Sequence, residues 1–242
     1  MARPDAEANK AFYNTEREDD RRRFEEMPGK VRMVDLVVSW VVSHLRPGDR
    51  VLDVAGGSGA YASRIVRETD ATVVGLDIAE SMVRQRAEDE LLGENVVGDM
   101  EALPFADESF DAVMYIAALH HVPDPRPALR EALRVLRPGG QIFSVDPSSL
   151  RARKTGTMPI EEEPQEFRLW VPWLAERMAE VGFRVERVTA RDLTMRVVGR
   201  VFRSPSRSLY RVTDAVDRGL FLVPGVEKLG SRGFVHAVKP PA

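Results

Sequence analysis

A doubly wound α/β fold around a mostly parallel sheet is predicted by three features of this 242-residue sequence. Short apolar runs alternate with helix-forming segments from Arg50 onward. The first run ends in a glycine-rich turn at 55–59, and the second run ends in an acid, Asp77. Alternation of this kind builds strand–helix–strand units whose strands lie parallel in one sheet.

The apolar runs place five strands in the first two thirds of the chain, at 50–55, 72–77, 95–99, 111–118 and 141–146. Apolar periodicity predicts helices between them, at about 59–69, 80–91 and 126–136. The last of these helices is expected to stop at the proline and glycines of 138–140. Two further strands, at 183–189 and 233–238, bring the predicted sheet to seven strands.

The segments outside this alternation are predicted to cover or connect it. Residues 1–46 are interpreted as an N-terminal helical cap, with a polar helix over 5–26 that ends at Pro28 and Gly29. Residues 47–190 and 232–242 form the predicted ligand-binding core. Within this core, 147–165 is expected to be a loop, followed by a helix that begins at Leu169 and closes at Gly182.

Residues 191–231 form a longer connection than the two strands around them need. Because this segment follows a predicted ligand edge, it is interpreted as a helical insertion and a candidate lid over an acceptor site. A decorative insertion or an oligomer contact fits the sequence equally well. Arginines recur within it at helical spacing, which is typical of a solvated face.

Composition limits the classes of function. Hydrophobic residues make up 43%, and no apolar run approaches the ~18–20 residues of a membrane helix. The absence of cysteine excludes thiolate ligands and nucleophiles, and four histidines argue against a bound metal. A net charge of −3 lacks the basic surplus of nucleic-acid binders. We therefore expect a cytoplasmic protein without metal, membrane or nucleic-acid partners, and a homodimer is left open.

Functional residues are expected at the carboxyl edge of the sheet, where ligands of doubly wound folds bind. Glycines in the 55–59 turn let the backbone approach a ligand closely. Asp77, at the end of the second strand, is placed to accept hydrogen bonds from two ribose hydroxyls. The sequence thus predicts a cofactor that contains adenosine. Residues 57–62 also fit the dinucleotide pattern G-x-G-x-x-G/A, so NAD remains an alternative at this point.

Four sequence blocks taken together resemble the class I S-adenosylmethionine-dependent methyltransferases, in particular their ubiquinone-biosynthesis-like small-molecule branch. They are VLDVAGGSG at 51–59, VGLD at 74–77, GDMEALPF at 98–105 with SFD at 109–111, and LRVLRPGG at 133–140. The resemblance implies a Rossmann-like methyltransferase fold with an antiparallel last strand. It also implies S-adenosyl-L-methionine as cofactor and S-adenosyl-L-homocysteine as product.

The resemblance assigns cofactor contacts residue by residue. The methionine end would be held by an acid and the glycine-rich loop, namely Asp53, Ala55, Gly56, Gly57 and Gly59. The ribose and adenine would be held by Asp77, Ile78, Met82, Asp99 and Met100. Ala117 would lie beneath the sulfonium. The commoner loop of this family begins with glycine where this chain has Ala55.

The reaction implied is transfer of a methyl group, by in-line displacement, to an oxygen, nitrogen or carbon atom of a small metabolite, with aromatic and cyclic acceptors included. His120 and His121 are the candidate general bases because histidine titrates near neutrality. A structural or cofactor-shaping role for this pair is the alternative. Tyr13, on the N-terminal helix, is the other catalytic candidate. An NAD-dependent oxidoreductase and a non-catalytic module that binds S-adenosylmethionine remain the alternative functions.

Overall fold

A computed structural model of the chain describes residues 4–16, 28–160, 163–194, 207–220, 222–223, 225–226 and 229–241. Its strands are β1 Arg50–Val54, β2 Thr72–Asp77, β3 Asn95–Val97, β4 Phe110–Ile116, β5 Leu136–Pro147, β6 Thr157–Ile160, β7 Glu163–Leu169, β8 Arg184–Arg191 and β9 Arg232–Val238. Its helices are α1 Pro4–Glu16, α2 Pro28–Val42, α3 Ala60–Glu68, α4 Glu80–Ala87, α5 Arg126–Val135, α6 Val171–Val181 and α7 Arg207–Leu220.

Seven of the strands form one sheet of order β3-β2-β1-β4-β5-β9-β8. The strands β1 to β5 pair in parallel, and β9 pairs antiparallel with both β5 and β8. This arrangement confirms the predicted mostly parallel, seven-stranded sheet with an antiparallel last strand. The strand order reverses at β1, which lies between β2 and β4, so a crevice is expected at its carboxyl end.

The sheet is buried on both faces, as the continuous apolar strands require. One face packs against α5 and α6, where Leu129 and Met178 are fully buried. The other face packs against α2 and α3, where Val37 and Ile65 are fully buried. These two apolar layers fix the strand ends in space and therefore fix the residues that follow each strand.

The segment 147–165, predicted to be a loop, contains regular structure. It includes a 3-10 turn at Leu150–Lys154, the strand β6 and the start of β7. The two strands pair as a hairpin, with Thr157 opposite Leu169. The polar composition concealed these strands because much of the hairpin is only half-buried. Leu169 ends β7 and does not begin a helix; the helix begins at Val171, where Pro172 suits the first turn.

Two other predicted boundaries also move. Pro28, predicted to end the first helix, is the first residue of α2, because proline fits a first helical turn. The described part of the predicted helix 5–26 is α1, and residues 17–26 lie outside the described residues. The predicted stop at 138–140 lies within β5, because α5 already ends at Val135 and Leu136 pairs with Phe110.

The described part of the predicted insertion 191–231 includes α7, which packs against α2. Arg32 of α2 makes ion pairs with Asp214 of α7 and, at 2.9 Å, with Asp192. The arginines at 196, 200 and 203, predicted to share a helical face, lie outside the described residues. Within the described ranges, no helix combines the length and the apolar character needed to cross a membrane.

A buried histidine lies in the antiparallel part of the sheet, away from the carboxyl edge. His236 of β9 stacks on Phe143, with ring centroids 5.0 Å apart. Its Nε2 lies 2.9 Å from Oε1 of Gln141, whose amide nitrogen donates to the His44 carbonyl. The ring of His236 therefore donates from Nε2. Burial, reinforced by neighbouring His44, lowers the pKa of His236 to about 4.

We predict that His236 makes the protein less stable in acid. In the unfolded chain the histidine takes up a proton near pH 6.5, whereas in the folded protein it resists protonation until about pH 4. The folded protein therefore loses free energy of unfolding as the pH falls from about 6.5 to about 4, because only the unfolded chain takes up the proton in this range. Urea unfolding should show a steeper loss of free energy between these pH values for the natural protein than for His236→Gln. Parallel pH profiles would contradict this prediction.

Candidate functional site

A cavity of about 330 Å³ opens at the carboxyl ends of β1, β2 and β4. This is the point at which the strand order reverses. Its walls come from the turn after β1, the ends of β2 and β3, the turn after β4, and from α1, α2, β7 and β9. The sequence-predicted edge is thus a real concavity.

The turn between β1 and α3 brings bare backbone to the cavity. Ala55, Gly57 and Gly59 all take positive φ angles, of 53°, 53° and 82°. Glycine adopts this left-handed conformation without steric cost, whereas Ala55 holds it against its own side chain. A Cβ atom added at Gly56 would collide with the carboxylate of Asp53. The loop therefore presents main-chain atoms where side chains have no room.

Beneath this loop lies a buried ion pair that sequence reasoning missed. Arg86 Nη1 donates to Asp53 Oδ2 at 2.7 Å, and both side chains are almost completely buried. Burial raises the pKa of Asp53, and the Arg86 guanidinium opposes that rise. A Cβ atom at Gly56 or Gly75 would also collide with the guanidinium. One sequence feature could have indicated that Arg86 is buried. It lies four residues after Met82, and this spacing puts both side chains on the same face of α4, which is buried.

The same carboxylate has one unsatisfied atom. Asp53 Oδ1 is buried and has no hydrogen-bond partner in the described structure, and Asp53 lines the cavity. Buried polar atoms are normally paired, so an orphaned acceptor at a cavity wall indicates a missing donor. A cationic or N–H group of a ligand fits that position.

Asp77 connects the end of β2 to the loop. Its Oδ2 accepts from the Gly57 N–H at 2.9 Å, and its Oδ1 accepts from the Ala79 N–H at 2.9 Å. Burial raises the pKa of Asp77, and these two backbone donors counteract the rise. Each carboxylate oxygen keeps a further lone pair for a ligand hydroxyl. Asp77 can therefore hold the loop and bind a ligand together.

The structure brings the sequence-predicted cofactor residues to one cavity. All of them line it except Gly59, which precedes α3: the lining set is Asp53, Ala55, Gly56, Gly57, Asp77, Ile78, Met82, Asp99, Met100 and Ala117. Asp99 Oδ1 also accepts from the Glu101 N–H at 3.0 Å. The individual roles given to these residues remain predictions.

The end of the cavity away from Asp77 and Asp99 is formed by the turn after β4. Ala117 takes a φ of 56° and its N–H donates to the Val145 carbonyl, which turns the chain into the 3-10 helix Leu119–His121. His120 Nδ1 lies 3.0 Å from Oδ1 of the fully buried Asp146. Because a carboxylate only accepts, His120 carries its proton on Nδ1. The Nε2 atom lies 4.0 Å from Oε2 of Glu166.

Helix α1 closes this end of the cavity. Tyr13 Oη lies 3.1 Å from His121 Nε2, and the Asn9 amide donates to the His121 carbonyl at 3.2 Å. The Ser81 hydroxyl of α4 donates to the Tyr13 carbonyl at 3.0 Å, so α1 is held on both sides. The three predicted catalytic residues, His120, His121 and Tyr13, are thus adjacent.

Several other residues that line the cavity carried no motif in the sequence. They come from the N-terminal helices, the hairpin and the last strand: Ala6, Asn9, Lys30, Glu166 and Arg232. Glu166 was hidden because it lies between the predicted loop 147–165 and the predicted helix from Leu169, in no predicted element. No described residue of 207–220 lines the cavity, and the lid assignment of 191–231 remains a prediction.

Comparison with known proteins finds a family match for the part of the chain that forms much of this cavity. Residues 52–144 match the family described as methyltransferase domain. The ubiquinone/menaquinone biosynthesis C-methyltransferase UbiE of Dinoroseobacter shibae is 44% identical over 123 residues, 48% of either chain. The 27-O-demethylrifamycin SV methyltransferase of Amycolatopsis mediterranei is 41% identical over 105 residues, 40% of this chain and 38% of that protein. The matches thus span about half of these relatives, or less.

A solved structure extends the likeness of fold to nearly the whole chain. Geranyl diphosphate C-methyltransferase from Streptomyces coelicolor A3(2), in complex with Mg²⁺, geranyl diphosphate and S-adenosyl-L-homocysteine, superposes with a TM-score of 0.66 over 98% of each chain. At 19% identity this likeness concerns the fold alone.

We predict that Arg86→Met destabilises the protein by about 3–5 kcal/mol, because it leaves the Asp53 carboxylate buried without its partner. Adding Asp53→Asn should recover part of this loss, since no charge then remains buried. The matched control is Arg84→Met, two residues away on α4, where the side chain is 78% exposed. That change should stay within about 0.5 kcal/mol. Urea unfolding measures all three, and equal effects of the two arginine substitutions would contradict the assignment.

Proposed function

We propose, starting from the match of residues 52–144 to a methyltransferase domain, that this chain transfers a methyl group from S-adenosyl-L-methionine to a small-molecule acceptor. The observation that carries the proposal is the convergence of ten sequence-predicted cofactor residues, Gly59 excepted, on a single cavity at the switch point of the sheet. The accepting atom is oxygen, nitrogen or carbon.

The methionine end of the cofactor fits the turn after β1. Its ammonium would donate to the orphaned Oδ1 of Asp53, which supplies the missing partner of that buried atom. Its carboxylate would accept from main-chain N–H groups at the start of α3, where the helix dipole favours an anion. The guanidinium of Arg86 keeps the Asp53 carboxylate in place without reaching the ligand itself.

The nucleoside end fits the tips of β2 and β3. Asp77 would accept from the ribose hydroxyls with its remaining lone pairs while it continues to hold Gly57. Ile78 and Met82 offer apolar surface to the adenine, and Asp99 would accept from its amino group. These placements follow the family resemblance, in which Asp77 ends the 74–77 block and Asp99 lies in the 98–105 block.

Methyl transfer itself is a displacement at carbon. The acceptor atom attacks the methyl group in line with the C–S bond, that bond breaks, and S-adenosyl-L-homocysteine leaves as a neutral thioether. Holding the acceptor about 3 Å from the methyl supplies much of the rate by proximity and orientation. The acceptor would lie between Ala117 and the group His120, His121 and Tyr13, which orients it and handles any proton that it loses.

The names of the curated relatives support a small-molecule acceptor. One is a C-methyltransferase of ubiquinone and menaquinone biosynthesis, and the other is named for a rifamycin. The cavity, about 330 Å³, is in the size range of small-molecule binding sites. We therefore favour a cyclic or aromatic metabolite as the substrate class.

We predict that S-adenosyl-L-homocysteine binds the purified protein and that Asp77→Asn weakens this binding by about 10–100-fold, since a charge-assisted hydrogen bond contributes about 1.5–3 kcal/mol. Isothermal titration measures both. Asp107→Asn is the control, because that carboxylate is 74% exposed and lies outside the cavity lining. Tight binding of NADH with no response to S-adenosyl-L-homocysteine would instead support the oxidoreductase alternative.

We predict that His120→Asn lowers the rate of methyl transfer by about 100-fold or more while leaving the affinity for S-adenosyl-L-homocysteine within about twofold. The rate is measured with a labelled methyl donor and a panel of cyclic metabolites. His44→Asn is the matched control, because His44 contacts Gln141 at the amino end of the parallel strands, opposite the cavity. If no acceptor in a broad panel is methylated despite cofactor binding, the non-catalytic module gains support.

A further inference from the structure

The acceptor end of the cavity also has the composition of a metal site. We propose that His120, His121 and Glu166 bind a divalent transition-metal cation. Within the described ranges, this is the one group of three or more His, Asp or Glu side chains whose ligand atoms come together, all within 4.8 Å of one another. The cation site does not depend on the proposed function.

The distances suit coordination after small side-chain movements. Metal–ligand bonds of about 2.1 Å place two ligand atoms roughly 3–4 Å apart. His120 Nε2 and Glu166 Oε2 are 4.0 Å apart. No separation in the group exceeds 4.8 Å, so small side-chain movements would bring the three ligand atoms into this range.

The support behind His120 is that of a metal ligand. Asp146 holds Nδ1 at 3.0 Å and itself accepts from the Ala118 N–H at 3.1 Å and the Ser144 hydroxyl at 2.8 Å. This network fixes the tautomer in which the Nε2 lone pair is available. A carboxylate behind a ligating imidazole is the usual arrangement in metal sites, where it orients the ring and raises its basicity.

The ligands come from two separate parts of the sequence. The histidines follow β4, and Glu166 is on β7, which packs on the 3-10 turn that carries them. The expectation of no metal rested on the small number of histidines, and His44 and His236 lie elsewhere in the fold, beside one another. The fold adds the third ligand that sequence reasoning lacked.

Ligand chemistry indicates the class of cation. Two imidazoles and one carboxylate suit zinc, iron(II), cobalt, nickel or manganese better than magnesium or calcium, which prefer oxygen. Three protein ligands leave coordination positions open on the side of the cavity. Tyr13, 3.1 Å from His121 Nε2, is placed to hydrogen-bond a group in such a position.

The choice of acceptor, unlike the site itself, rests on the proposed function. The site would select an acceptor with two neighbouring oxygen atoms, which can chelate the cation. A metal-bound hydroxyl loses its proton at a lower pH, because the cation stabilises the oxyanion. The O–H bond breaks and the proton passes to water. The oxygen then forms a bond to the methyl carbon as the C–S bond breaks, giving a methyl ether and a thioether.

The test is a Co²⁺ titration of the full chain, free of any affinity tag and stripped with a chelator. Visible absorption and equilibrium dialysis should show one saturable cation per chain. Glu166→Gln and His121→Asn should each weaken binding at least tenfold, and Asp146→Asn by about 10–100-fold. Glu186→Gln, on β8, and His44→Gln are the controls and should leave the affinity for Co²⁺ unchanged.

Absence of saturable Co²⁺ binding would overturn the proposal, as would unchanged affinity in both Glu166→Gln and His121→Asn. Loss of binding in His44→Gln would assign the cation to the other histidine pair and would equally overturn it. Affinity for S-adenosyl-L-homocysteine, measured on every variant, confirms that the fold is retained. It also separates the two proposals: if the homocysteine product binds and Co²⁺ does not, the cation site alone fails.

Discussion

The buried ion pair of Asp53 and Arg86 is the constraint on which the site depends. It connects the end of β1 to α4, and the guanidinium passes where side chains at Gly56 and Gly75 would collide with it. A buried pair contributes little net stability because two charges must be desolvated. Its effect here is positional. It requires glycine at positions 56 and 75, and it fixes the orientation of the Asp53 carboxylate at the cavity wall.

Backbone strain occurs at both ends of the cavity. Ala55 and Ala117 both hold positive φ angles, one after β1 and the other after β4. A left-handed alanine costs free energy that the surrounding contacts must offset. Such residues concentrate at ligand sites, and these two flank the point at which the sheet reverses its strand order.

The carboxyl edge could be predicted from sequence because its signals are local. Apolar runs, glycine turns and terminal acids lie next to one another, so β1 to β4 and Asp77 were identified from neighbours in the chain. Arg86, Asp146 and Glu166 were not identified as site residues, since their importance arises from partners far away in sequence. The β6–β7 hairpin was missed because much of it is half-buried, which weakens hydrophobic alternation.

The two ends of the cavity differ in how the chain encodes them. The nucleoside half lies within one continuous stretch, whereas the far wall is assembled from α1, β7 and the start of β9. Chimaeras that exchange those outlying segments between relatives can therefore change the shape of that wall while the contiguous half is inherited intact. In evolution, the same division lets new chemistry arise by remodelling peripheral segments around an unchanged interior.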